Sequence, residues 1–395
     1  MQQSAVQKTP RIEVVDALRG MVILAILLLH NLMHFNYSVF PDAALQPHWL
    51  NVLDEFVKKG TFFLFFGKSF PVFVMLFGFT FSIQYVNQQM KGNDFGCRFL
   101  WRLFLLIGFA TINAAFFPEG DVLLKFSLFG VVLVIVRKWS DKAVFITACI
   151  LFLGPYQIYQ YFMSLLSSTY VLPDLEWTKA MFNGLENVGN SNGNFWRFVW
   201  CNITYGQASP LMYILFSGLF FQQSGLFLLG LLIGRRQLFV ANEKNNRFWT
   251  KALIVSIPVF LVFHLGISKL MAGQDATTQQ TIGALTYMWQ NFSFTVILVA
   301  SFVLLYQKNF FNKLASPLRF YGKMSLTNYV CQSIIGAFIY FPIGLNLAPH
   351  CGYTFSFMIA IVMFFAQVFF CKWWLKNHKQ GILEGLWHKI TWIRK

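Results

Sequence analysis

Long apolar runs recur along this chain, separated by short connections that hold most of its charge. A bilayer core takes about 20 apolar residues per helical span. On that measure the candidate spans are 17–36, 69–88, 100–117, 122–137, 143–166, 210–233, 252–271, 283–306, 324–343 and 354–375. The fourth is short, and Lys125 near its start must snorkel outward. The pattern predicts an all-α, polytopic integral membrane helix bundle of about ten transmembrane helices. One transmembrane domain fills 1–395, with a short N-terminal segment over 1–16 and a C-terminal tail over 376–395. No internal repeat or low-complexity tail interrupts it. The first apolar run follows Glu13, Asp16 and Arg19, and no small-residue cleavage site follows it. It therefore reads as a retained helix rather than a cleaved leader.

Composition supports the lipid-facing reading. The chain is 56% hydrophobic and only 12% charged, with 48 phenylalanines. A soluble domain carries about a quarter charged residues, so too little polar surface is left to cover a water-exposed globule. The formal net charge of +16 does not point to nucleic acid, because the basic residues cluster between apolar runs, as they do in cytoplasmic loops. With the N-terminus inside, the outer segments of the ten-span arrangement hold only Lys58, Lys59, Lys68, Lys125, Lys179, Arg197 and Lys269 of the 31 basic residues. Removing the fourth span would invert every later loop and destroy that asymmetry. The positive-inside rule thus supports the span count and the cytoplasmic location of both termini together.

The longest outer connection, about 167–209, contains Trp177, Trp196 and Trp200, and reads as an interfacial aromatic belt. The loop 37–68 ends in the run Phe62 to Phe66, an interfacial or re-entrant piece. Six scattered cysteines form no CxxC pair, so neither a zinc site nor a disulfide framework is indicated. Cys201 and Cys351 both fall on the outer side, where pairing is open to them. No GxSxG elbow, P-loop or GxGxxG unit is present.

Ionisable groups within spans mark functional hypotheses, since burying them in lipid is costly. Asp16 and Arg19 are three apart at the start of the first span, so they share a face. They serve equally as a pair that fixes the first helical turn. His30 and His34, four apart near its far end, are expected to share a face as well. They are either working groups or interfacial hydrogen-bonders. No HExxH glutamate or third ligand accompanies them, so no metal is expected. His48 stands in the outer loop beside Trp49. Lys68 and Asp121 sit at span ends, Asp121 in a normal N-terminal position for an acid. His264 lies in the seventh span, as a cavity or a packing residue.

Several segments resemble a known family. The stretch "VVDALRGMVILAILLLHN" resembles the opening helix of the YeiB-like bacterial membrane proteins, a family of unknown function. "FFGKSFPVFVMLFGFTFSIQY", "PEGDVLLKFSLFGVV" and "LFLLGLLIGRRQLF" are similar to its later elements. "YGKMSLTNYVCQSIIGAFIYFPIGL", followed by "KWWLKNHKQGILEGLW", matches its C-terminal run. The order is kept from about 11 to 392. The chain departs from the family at "GILEGLW", where "GPLEWLW" is usual, and at Phe126, where Tyr is usual.

That family resembles, in its first helix, two groups of transmembrane acyltransferases: one with heparan-alpha-glucosaminide N-acetyltransferase, the other the O-antigen acetylases. They share a D-x-[LF]-R-G opening, here Asp16, Arg19 and Gly20. The position of the functional histidine in the O-antigen acetylases falls on His30. The heparan enzyme instead uses a loop histidine, for which His48 is the nearest counterpart. The resemblance implies a bacterial inner-membrane enzyme using cytoplasmic acyl-CoA (acetyl-CoA) as donor. The acyl group would pass through a cavity to an extracytoplasmic hydroxyl or amine, with histidine as general base. Arg98, Arg102, Arg235 and Arg236 then become candidates for the CoA phosphates, although the positive-inside rule alone also explains them. The competing class is a transporter or permease without covalent chemistry, mildly disfavoured by the lack of a repeat. The acceptor and the oligomeric state, a homodimer included, stay open.

Overall fold

The computed structural model describes residues 12–118, 121–167, 170, 172 and 193–393. Trp177 and Lys179 of the long connection lie outside these residues. Among the described residues the chain is helical with no strand. Its helices are α1 (Glu13–Leu32), α2 (His48–Phe65), α3 (Ser69–Gln89), α4 (Gly96–Ala114), α5 (Leu123–Phe129), α6 (Val131–Val136), α7 (Asp141–Phe152) and α8 (Pro155–Leu166). After the long connection come α9 (Phe195–Phe216), α10 (Leu219–Arg235), α11 (Glu243–Ala272) and α12 (Ala276–Tyr306). The chain closes with α13 (Asn309–Leu314), α14 (Ser316–Lys323), α15 (Ser325–Tyr340), α16 (Tyr353–Asn377) and α17 (Ile382–Thr391).

By length and composition, five helices can cross a membrane, or seven if each of two bent pairs is one span. The chain is therefore a multi-pass membrane protein, while the ten separate spans expected from hydropathy are realised only in part. Three expected spans are broken, each at a glycine. The fourth divides at Gly130 into α5 and α6. The fifth bends by 45° at Gly154 between α7 and α8. The sixth is replaced by α9 and α10, which meet at 87° at Gly218. Gly154 and Gly218 both hold the left-handed conformation, with φ of 71° and 74°, a region that glycine enters without a steric penalty. The two breaks meet in space, where Gln157 Nε2 donates to Ser217 O at 2.8 Å.

Helices in lipid associate through close packing of small residues, and two glycine-mediated contacts build the centre. In the first, α1 lies against α14. A Cβ on Gly20 would meet the Leu318 carbonyl oxygen at 2.0 Å, and one on Gly322 would meet the Asp16 carbonyl oxygen at 1.9 Å. In the second, α3 lies against α10, with Gly78 over the Phe227 carbonyl and Gly230 over that of Met75. Helix α1 is consequently almost enclosed, with Leu18, Ile23, Leu27 and Leu32 fully buried. Helix α11 stands at the periphery and exposes Ile254, Val255, Val262 and Leu270, a surface suited to lipid chains.

Charged groups collect at one end of the bundle, called here the basic end. There Arg137 pairs with Asp94 at 2.9 Å, Arg235 with Asp141 at 3.1 Å, and Arg319 with Glu13. The first and last described helices both reach this end. Helix α17 is held there by Glu384, which accepts from Leu326 N, Thr327 N and Thr327 Oγ1. A carboxylate at the N-terminus of α15 complements its unpaired N–H groups and dipole.

Candidate functional site

Spacing places Arg98 and Arg102 one turn apart on α4, and α17 packs across them. Arg98 donates to Thr391 O at 2.8 Å and lies over the Trp392 ring. The Arg102 guanidinium stacks 4.0 Å from the Trp387 ring, whose own N–H donates to the Arg102 carbonyl. Arg102 is 8% exposed, and its Nε has no hydrogen-bond partner. A buried guanidinium in that state favours an incoming anion.

These side chains border two adjoining cavities. The outer one, about 780 Å³, opens at the basic end among Lys91, Arg98, Arg102, His388 and Trp392. The inner one, about 340 Å³, shares Gln84, Arg102 and His388 with it. It runs inward between Phe73, Phe77, Phe99 and Phe126 to Tyr329. Arg19, Lys323 and Glu384 stand on its wall. The molecule thus contains a slot with a basic mouth, an aromatic shaft and a tyrosine at its foot.

Beyond that foot stands His30. Its ring lies 4.3 Å from that of Phe117, 5.6 Å from Phe35 and 6.3 Å from Tyr329. Its Nδ1 is buried with no hydrogen-bond partner. Close by, Asp121 is buried and accepts from Asn113 Nδ2 at 3.0 Å and from Leu124 N at 2.7 Å, so that it caps α5. Val122 N donates to the Tyr329 hydroxyl at 3.3 Å. Asp121 thereby joins the surroundings of His30.

His34 behaves differently, and the expectation that it shares a helix face with His30 is corrected. Helix α1 ends at Leu32, and His34, Phe35 and Asn36 take φ values of 47°, 52° and 67°. Three consecutive left-handed non-glycine residues are strained, at roughly 1–2 kcal/mol each. The turn is held by bonds that its side chains make. His34 Nδ1 lies 2.8 Å from the Val39 carbonyl, which only accepts, so this nitrogen carries the proton. Nε2 is then left to accept from Ser356 Oγ, also at 2.8 Å. Asn36 Nδ2 donates to Pro118 O at 2.9 Å. Gly336 leaves the room that the Phe35 ring occupies. Both nitrogens of His34 are engaged, which leaves it no free lone pair.

The remaining candidates disperse. His48 opens α2 and is exposed. Lys68 is buried at the start of α3 beneath the Phe63 and Phe294 rings, and no cavity described here includes it. Asp16 is buried and pairs with Arg19 at 3.3 Å, and Arg19 also donates to Thr80 Oγ1. Arg235 and Arg236 share Asp141, and Arg235 also donates to the carbonyls of Trp139 and Arg137. They do not line the slot with Arg98 and Arg102. His264 packs on Phe260 and meets Gln290 at the periphery. Cys201 and Cys351 fall in one apolar cluster as free thiols. Sequence reasoning missed Asn113, Tyr329, Glu384 and Trp387. All four lie in ordinary helical surroundings, and what marks them is a partner distant along the chain. The one signal for Tyr329 and Glu384 was their place in the "TNY" and "LE" segments.

Residues 233–394 match the family described as "Protein of unknown function (DUF418)". The uncharacterized protein YxaH of Bacillus subtilis (strain 168) is 27% identical over 97% of this chain and 94% of its own length. An uncharacterized 39.9 kDa protein from the amylase 3' region of Bacillus acidopullulyticus is 24% identical, covering 98% of this chain and 95% of its own. YeiB of Escherichia coli (strain K12), also uncharacterized, is 24% identical over 95% of each chain. No solved structure matches. The family match begins in the last turn of α10 and runs through α17, and the similarity to the YeiB-like proteins read from the motifs extends along the whole chain.

Proposed function

We propose that this protein is a transmembrane acyltransferase of the bacterial cytoplasmic membrane. It takes an acyl group from acyl-CoA at the basic, cytoplasmic end and passes it to a hydroxyl or amine arriving from the other side. The observation that carries this reading is the slot, in which a basic mouth and a narrow aromatic shaft lead to Tyr329, with the His30 ring 6.3 Å beyond it. Arg98 and Arg102 suit the phosphates of the donor, and the shaft suits its uncharged arm. The thioester carbonyl then comes to rest near Tyr329. His30 Nδ1 takes the proton from the acceptor as its oxygen or nitrogen attacks that carbonyl. The C–S bond breaks, and the departing thiolate recovers the proton from the imidazolium.

A transporter is the second reading, favoured by the paired helix breaks at Gly154 and Gly218, since discontinuous helices mark many transport sites. The two readings separate on chemistry. Purified wild type, H30A, H34A and H48A, each confirmed as folded, are assayed for acetyl-CoA consumption. Loss of a general base costs roughly 10²–10⁴ in rate, and that loss is expected in H30A alone. A loss confined to H48A moves the base to the loop. Equal rates in all four remove histidine catalysis and favour transport.

A further inference from the structure

A separate cavity, about 210 Å³, lies between α3, α10, α11 and α12 and shares only Leu76 with the slot. Val72, Leu232, Trp249 and Val299 wall it and are buried. Two of its lining side chains carry N–H groups. That of Trp249 is engaged by the Leu238 carbonyl at 2.8 Å, which leaves Arg236. The interior therefore offers no polar partner and suits hydrocarbon rather than water. Three lining residues are exposed and mark the opening, between α7 and α11: Phe145, Phe248 and Arg236. This opening is basic. Arg235 and Arg236 share the Asp141 carboxylate, at 3.1 and 3.6 Å. Arg235 is largely covered and also donates to two carbonyls, whereas the Arg236 side chain is 59% exposed. The surplus positive charge thus stands at the opening. Lys142 and Lys251, both exposed, lie three residues from Phe145 and Phe248 on the same helix faces.

We propose that this cavity holds an acyl chain of an anionic phospholipid whose phosphate rests on Arg236. The proposal does not depend on acyl transfer. Size, position and charge select this occupant. An α-helix is about 10–12 Å across, so a second copy of the chain cannot enter a space of this volume, whereas a single hydrocarbon chain can. The opening lies beside α11, whose outward face meets lipid, and at the basic end, where headgroups gather. Basic pockets between spans at that level take anionic lipids. A guanidinium matches two phosphate oxygens at once. A zwitterionic lipid brings the same chains, but its own cation offsets the phosphate before Arg236 can. Arg236, which the slot does not use, thereby acquires a ligand.

The test uses the full chain in phosphatidylcholine nanodiscs doped with a lipid that carries a photoreactive diazirine in one acyl chain. The probe is phosphatidylglycerol or phosphatidylcholine with identical chains, and adducts are mapped by peptide mass spectrometry. Val255 and Val262, exposed on α11, report contact with bulk lipid. Relative to them, the phosphatidylglycerol probe is expected to label Leu232 and Ala252 about 5-fold more than the phosphatidylcholine probe, the discrimination that one basic group near a headgroup supplies. R236Q is expected to bring the two probes level, with the fold intact because Arg235 keeps Asp141. A252W, which fills the cavity, is expected to remove the Leu232 adducts of both probes and to leave those at Val255 and Val262. Equal labelling by the two headgroups in wild type overturns the proposal, as does a preference that survives R236Q. Label confined to Val255 and Val262 overturns it too, and is the outcome expected if the cavity stays empty or a second copy covers its opening.

Discussion

His30 and His34 look equivalent in a helical projection, and the structure separates them by the state of their nitrogens. Sequence spacing rests on the helix continuing, but α1 stops at Leu32 and a left-handed turn carries His34 to Val39 and Ser356. Nothing near residue 34 announces that turn, because the atoms that hold it come from Ser356 and Pro118. The apolar pattern made α1 legible and the resemblance selected His30. The division of labour between the two histidines was not legible. A prediction follows for His34. H34A leaves the Ser356 hydroxyl and the Val39 carbonyl without their partner, and each unsatisfied buried group costs about 1–3 kcal/mol. It also removes the ring stacked on Phe40 and Tyr340. The melting temperature in detergent should fall by several degrees, while turnover per folded molecule stays near wild type. An unchanged melting temperature would show that the strained turn is held by other contacts.

At the scale of elements, glycines and distant caps decide what hydropathy cannot. The run "DALRG" reads as a helix start, but why Gly20 follows Arg19 becomes clear only when Leu318 is set against it. Gly322 answers it from α14, and the pair lets the two backbones touch while Arg19 and Lys323 border the slot. A methyl group at Gly322 would overlap the Asp16 carbonyl, so the helices must part, and overpacking of this kind costs typically 1–3 kcal/mol or more. G322A should therefore lower both the melting temperature and the yield of folded protein. G108A is the matched control, because nothing lies within 4 Å of its added carbon; it should be neutral or slightly stabilising. Equal behaviour of the two variants would contradict the close-contact account. The caps were hidden for a related reason. Asp54 caps α16 through Thr354 N, and Glu384 caps α15, each from far along the chain. Burial raises the Glu384 carboxyl above its ordinary value, outweighing the donors from Thr327 and Leu326 that pull it down. A raised carboxyl favours its protonated form in the folded state. Its contribution to holding α17 is full below the ordinary glutamate range and is lost as pH rises through the raised value. Hydrogen exchange in 382–391 should accordingly be slower at pH 5 than at pH 8, after correction for intrinsic rates. E384Q, which cannot ionise, should flatten the difference.

For the molecule as a whole, the class was legible because lipid imposes it: long apolar runs and sparse charge leave no alternative to a helical bundle. The bends were not, since a window of mean apolarity passes over Gly130, Gly154 and Gly218 without registering a change of direction. The charge asymmetry gives the most direct test of how the bundle sits in the bilayer. Residues from distant parts of the chain meet at the basic end: Asp94 with Arg137, Arg235 with Asp141, Asn246 with Gln307, and Arg98 with Thr391. Pro118, bonded to Asn36 at the far end of α1, and Gln274, between α11 and α12, stand away from these pairs. Since cytoplasmic loops accumulate Lys and Arg, the basic end is expected to face the cytoplasm and with it the mouth of the slot. Reporter fusions after Met90, Lys138 and Lys244 should all give the cytoplasmic signal. Fusions after Pro118 and Gln274 should give the external one. The same signal from Met90 and Pro118 would mean that α4 does not cross, and a wholesale inversion would turn the basic mouth outward. In the second case the donor could not be a cytoplasmic thioester. The slot would then have to admit an anion from outside, so topology decides the proposed chemistry as well as the architecture.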